Sequence, residues 1–101
     1  MYKLSNNNNM LSSEILKNDK NFLVIKENYS NFTSLVKFYS YKSLIAVYDK
    51  NSKILNITNL WDYSQTTLKQ FKNFINNFTC FDYKTKKEFA KIIQKENIFY
   101  M

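Results

Sequence analysis

The chain has 101 residues, with fifteen lysines, no arginine and eight carboxylates for a formal charge of +7, and one cysteine but no histidine, glycine or proline. That length supports one packed domain. Without histidine there is no Ser/His, Cys/His or His-metal site, and without glycine there is no phosphate-cradling loop whose backbone must approach its ligand closely.

Residues 1–21 are polar, with an Asn run at 6–9, and they read as an N-terminal segment with at most a short helix capped by Ser12 or Ser13. Residues 22–101 read as a single α+β domain. Its first part is strand-like: residues 22–26 are apolar and β-branched, 32–41 mix aromatics with hydroxyl residues at period two, 44–48 are continuously apolar, and Leu55, Ile57, Asn59 and Trp61 alternate with Asn56, Thr58 and Leu60. This predicts an antiparallel sheet of about four strands over 22–61. Between the last two, residues 49–52 form a hairpin turn in which Asn51 or Asp49 takes the left-handed conformation.

After Trp61 the period becomes 3.6. Leu68, Phe71, Phe74, Ile75 and Phe78 fall on one side of a helical wheel, opposite Lys69, Lys72, Asn73, Asn76 and Asn77, which predicts an amphipathic helix over 66–78 capped by Ser64 or Thr66. A second helix is predicted over 85–96, with Phe89, Ile92 and Ile93 inward. Strands followed by helices imply helices packed on one face of the sheet.

Lys84, Lys87, Lys91 and Lys95, with Lys86 beside them, form a stripe on that second helix that could track a phosphate backbone, giving nucleic-acid binding as the alternative function. Without arginine the bidentate contact to guanine is missing. Tyr39 and Tyr41 on one strand and Tyr48 on the next are candidate stacking platforms, though core packing explains most aromatics. Catalysis has few routes: Asp49, Asp62, Asp82, Glu88 and Glu96 show no diagnostic spacing, and Ser64 with Lys69 imitates a Ser/Lys pair only loosely. No catalytic, cofactor or metal residue is assigned, and a non-enzymatic protein is expected.

Lys, Asn, Ile, Phe and Tyr make up more than half of the chain, and their codons are mainly A and T, which points to an AT-rich bacterium or one of its mobile elements. The apolar runs at 22–25 and 44–48 are far shorter than the roughly 20 residues of a membrane-spanning helix, so no membrane partner is expected. With no apolar signal stretch at the N-terminus, the expected location is the bacterial cytoplasm. Cys80, between Thr79 and Phe81, reads as a small core residue, and the four Asn-x-Ser/Thr sequons as chance. A meander edge with no Pro or Gly to blunt it permits a homodimer.

The pattern Ser40-Tyr41-x-Ser43-x-Ile45-Ala46, followed by Trp61-Asp62-Tyr63-Ser64-x-Thr66-Thr67-x-Lys69-x-x-x-x-Phe74-Ile75, resembles a group of small proteins encoded by phages and plasmids of Gram-positive bacteria. In that group the helix usually reads Thr-Thr-x-Lys-His, and here Gln70 stands at the histidine position. The resemblance implies a mobile-element origin rather than a reaction. Small accessory proteins of such elements often bind and block host factors, CRISPR nucleases among them, so the expected partner is a host protein or protein–RNA complex. The contacts expected for it lie near the strand-to-helix corner: Tyr41, Tyr63 and Lys69.

Overall fold

A chain without glycine must build its tight turns from residues that carry a Cβ. Seven of the described residues accordingly lie in the left-handed region: Asn21, Phe32, Tyr41, Lys42, Lys53, Gln94 and Asn97, with φ between 51° and 69°. In the computed structural model, which describes residues 9–101, four of the connections these residues shape link five antiparallel strands. The strands are β1 (Met10–Asp19), β2 (Phe22–Tyr29), β3 (Ser34–Ser40), β4 (Ser43–Asp49) and β5 (Ile54–Ile57). Helices α1 (Gln65–Phe78) and α2 (Lys86–Ile92) follow, and β6 (Ile98–Tyr100) returns to pair parallel with β5. The described residues thus form an α+β fold with a six-stranded mixed sheet in sequential order.

β2 to β5 correspond to the four predicted strands, the last of them ending at Ile57 rather than at Trp61, where the chain already turns toward the first helix, and β1 and β6 are additional. Where a short helix capped by Ser12 or Ser13 was expected, residues 10–19 pair with β2, with extra residues Leu11 and Leu16 interrupting the register. Only Leu16 and Lys17 of this edge strand are partly covered, so it has no alternation to read, and its state is decided by backbone pairing with β2. Residues 1–8 of that segment lie outside the described residues. β6 was hidden because three residues are too few to show a period.

The second helix is shorter than its predicted span of 85–96. It ends at Ile92, and Gln94 and Asn97, both with positive φ, turn the chain so that Ile98 reaches the sheet edge. Its start is set by Thr85, whose hydroxyl accepts from Glu88 N while the Glu88 carboxylate accepts from Thr85 N, a reciprocal capping box. In the β4–β5 turn the left-handed residue is Lys53, not Asn51 or Asp49. Asp49 instead uses its carboxylate to accept from the amides of Asn51 and Ser52.

Strand pleating sends Val36 and Phe38 of β3 toward the helices, and Leu35 to the opposite face with Val47 and Tyr29. The main core is aromatic. Phe38 stacks on Phe74 with centroids 5.2 Å apart, while Phe71 meets Phe89 edge-on at 4.9 Å and Trp61 lies 5.4 Å from Phe71. Each fully buried Phe contributes about 1.5–3 kcal/mol through lost apolar surface. Trp61 also donates from Nε1 to the Tyr100 hydroxyl at 3.1 Å, tying the strand-to-helix corner to β6. Cys80, expected in the core, is exposed in the α1–α2 connection. Burial alternates along residues 79–83, so Phe81 and Tyr83 turn inward while Cys80 and Asp82 face outward. No helix of the described residues is long and apolar enough to cross a membrane.

One buried polar atom in this core has no partner among the described residues: the Tyr83 hydroxyl. Tyr83→Phe is therefore expected to raise stability by about 1 kcal/mol, because it removes a desolvated group without leaving a cavity. An unchanged or lower denaturation midpoint would refute this. Burial also raises the Tyr83 pKa, and burial followed by the neighbouring Cys80 thiol pushes Tyr48 from 10.0 up to about 12. Above pH 10 the unfolded chain ionises these phenols before the folded one does. Their contribution to stability is thus complete below pH 10 and is lost as pH rises toward about 12. Urea midpoints measured at successive alkaline pH values should fall in that window, and less steeply in Tyr48→Phe.

Candidate functional site

The end of the sheet that carries the β3–β4 turn also receives the start of α1, and between them lies a cleft of about 640 Å³. Its position follows from local sequence. Ser40 and Ser43 pair across a two-residue hairpin, so Tyr41 and Lys42 occupy both central positions with φ of 51° and 68°. Such a turn favours Asn-Gly, and a non-glycine residue there costs about 1–2 kcal/mol. The opposite wall is the corner after β5, where Tyr63 and Ser64 lead into α1. A bulge in β4 sets Ile45 beside Ala46 opposite Phe38, and Thr58 holds it by donating to the carbonyls of Leu44 and Ile45. Ile45 and Leu60 supply the aliphatic part of the lining.

Ser64 is the N-cap of α1, as expected: its hydroxyl accepts from Thr67 N at 3.1 Å. The same hydroxyl donates to Thr67 Oγ1 at 3.1 Å, Thr67 lies 3.1 Å from Ser40 Oγ, and Ser40 donates to Gln70 Oε1 at 2.6 Å. Each hydroxyl has one hydrogen, so the bonds run in one direction, Ser64 to Thr67 to Ser40 to Gln70. Ser40 and Thr67 are each 2% exposed, so this relay locks β3 to α1 behind the cleft. Gln70, which the sequence marked only as a departure from histidine, is its terminal acceptor. Gln70→Leu leaves the Ser40 hydroxyl without an acceptor and is expected to cost about 1–3 kcal/mol. Gln70→His retains a ring nitrogen that accepts when neutral, so its loss at pH 8 should be smaller; equal denaturation midpoints for the two variants would contradict the relay.

Of the residues expected to contact a partner, Tyr41 and Tyr63 line this one cleft and are 52% and 78% exposed. Lys69 is exposed but outside the lining, one helical turn beyond Thr66 on the same side of α1. The lysine stripe is not continuous. Lys84 precedes the cap of α2 and Lys95 follows its end, which leaves Lys87 and Lys91 one turn apart, while Lys86 pairs with Asp62 at 3.1 Å. The three tyrosines proposed for stacking are dispersed: Tyr39 is half-buried on the face away from the helices, Tyr41 is in the turn, and Tyr48 is 4% exposed and packs edge-on against Phe81. Ser64 is occupied as a cap, Glu88 in its capping box, Asp49 in its turn and Asp62 by Lys86. No group of three or more acidic or Cys side chains able to hold a metal converges among the described residues.

Fold and cleft together define a class: a small α+β domain whose mixed sheet carries helices on one face and an aromatic-walled, hydroxyl-lined cleft at one end. The chain belongs to the family of unknown function DUF8033, whose sequence model matches residues 10–94. No curated protein and no solved structure matches it.

Proposed function

We propose that this protein is a non-enzymatic accessory protein of a mobile genetic element that binds and inhibits a host factor, as anti-defence inhibitors of the anti-CRISPR kind do. The observation that carries the binding part of this reading is the pairing of Tyr41 and Tyr63, two exposed aromatic side chains on the walls of one cleft. Aromatic anchors beside a pocket dominate protein interfaces, because they bury large area at little conformational cost. The strained Tyr41-Lys42 turn supports the same reading, since residues held in unfavourable backbone conformations cluster at functional sites. The mobile-element origin rests on the AT-rich composition and on the resemblance over the Ser40 and Trp61 motifs. The nucleic-acid alternative is weakened by the shortness of α2, which leaves two rather than four lysines on one helical face.

The test is affinity capture of tagged protein from nuclease-treated and untreated host lysate, with Tyr63→Ala in parallel. A discrete protein retained by the parent chain and lost with folded Tyr63→Ala supports the reading. Recovery of nucleic acid alone from untreated lysate, released at moderate salt, overturns it.

A further inference from the structure

The charge distribution around the cleft identifies the chemistry of its occupant, and this inference rests on the binding reading above. No charged side chain lines the cleft. Asp62, at the corner beside the cleft, is already neutralised by Lys86 at 3.1 Å, and Asp19, at the end of β1 next to the β1–β2 turn, by Lys17 at 3.3 Å. That turn touches the β3–β4 turn directly, through Tyr41 N donating to Asn21 O at 3.1 Å. By contrast Lys20, Lys42 and Lys69, one on each of the three segments that meet here, are exposed and make no ion pair among the described residues. The first turn of α1 carries no acidic residue either. This end of the sheet therefore combines a neutral, aromatic-walled cavity with unbalanced positive charge around it.

On the other side of the Tyr41-Lys42 turn lies a second, smaller cleft of about 340 Å³, lined among others by Lys42, Tyr39, Leu23 and Asp19, whose carboxylate is paired with Lys17. The turn thus stands as a saddle between two depressions, with Tyr41 lining one and Lys42 lining the other. We infer that the saddle receives an acidic segment of a partner protein, which places one aromatic or large aliphatic side chain in the cleft between Tyr41 and Tyr63 and sets flanking carboxylates against Lys42 and Lys69.

Three observations favour a peptide over a single-stranded nucleic acid. The lining includes the aliphatic Ile45 and Leu60, which suit an apolar side chain. The free cations are single groups on separate segments rather than a track that follows a phosphate backbone. Tyr48 is buried, and Tyr39 lies on the other side of the turn in the second depression, so neither continues the aromatic wall of the cleft. Charge complementarity speeds encounter and sets register, while the apolar side chain supplies most of the binding energy.

The test is an NMR titration of the folded chain with three capped pentapeptides: a phenylalanine between two pairs of acidic residues, the same peptide with alanine at the centre, and the same peptide with lysines replacing the acids. A deoxythymidine 12-mer serves as the nucleic-acid probe. The expected result is saturable shifts of the amides of residues 40–43 and 63–67 with the acidic phenylalanine peptide. Affinity should fall about tenfold on alanine substitution of the phenylalanine, in Tyr63→Ala, and in the Lys42→Glu/Lys69→Glu double variant. Equal binding of the lysine peptide, shifts confined to another surface, or saturation by the oligonucleotide but not by the peptide would each overturn the inference. Failure here with a Tyr63-dependent protein still captured from lysate would reject the acidic segment and leave the proposed function standing. Peptide binding without any captured protein would have the opposite meaning.

Discussion

Phe71→Ala is expected to lower stability by about 3–5 kcal/mol, enough to leave much of the population unfolded if the domain has the marginal stability usual for its size. Phe71 is 0% exposed and packs against four other rings: Phe38 of β3, Trp61 of the corner, and Tyr83 and Phe89 of the following segment. It is the point where the sheet, α1 and α2 are held to one another, so the cavity left by truncation borders every layer and cannot be closed by moving one element. Phe71→Leu keeps most of the volume and should cost less than about half as much. Urea denaturation followed by circular dichroism measures both, and a Phe71→Ala midpoint within error of the parent would show that the aromatic cluster is not the centre of the core.

The second large effect has the opposite sign. Replacing Tyr41-Lys42 by Asn-Gly is expected to stabilise the protein by about 1–2 kcal/mol net, after allowing for the greater unfolded-state freedom of glycine. For a domain of this size each kcal/mol corresponds to about 4–8 °C in Tm. Both native residues have positive φ, and both side chains are exposed, so little packing is lost with them. If the saddle is the binding surface, the same double variant loses its partner while gaining stability. A variant that is both more stable and fully active in binding would place the partner elsewhere. Tyr63→Ala complements it, because at 78% exposure its removal should leave the denaturation midpoint within about 0.5 kcal/mol of the parent.

The absence of glycine links composition to this surface. In most hairpins the left-handed positions carry residues that make no contact, whereas here they present side chains outward. Phe32 is the extreme case, 88% exposed with φ of 66° in the β2–β3 turn, its carbonyl held by Asn51 Nδ2 at 2.6 Å. It lies at the opposite end of the sheet from the saddle and takes no part in the site described above.

What the sequence determined by itself were the features driven by local periodicity and local hydrogen bonding. The apolar spacing from Leu68 to Phe78 is sufficient for α1, Ser64 is competent to cap it, and the β-branched and aromatic runs of β2 to β5 have one face that must be buried. The hairpin order follows from short connections. Tertiary structure alone decided whatever depends on partners distant in the chain. Residues 10–19 are a strand because β2 offers an unpaired edge, and 98–100 because β5 does. Tyr41 and Tyr63 become neighbours of one cleft only when the meander brings the β3–β4 turn beside the start of α1. The role of Gln70 likewise exists only through Ser40, thirty residues earlier, because a buried hydroxyl must find an acceptor wherever packing places one.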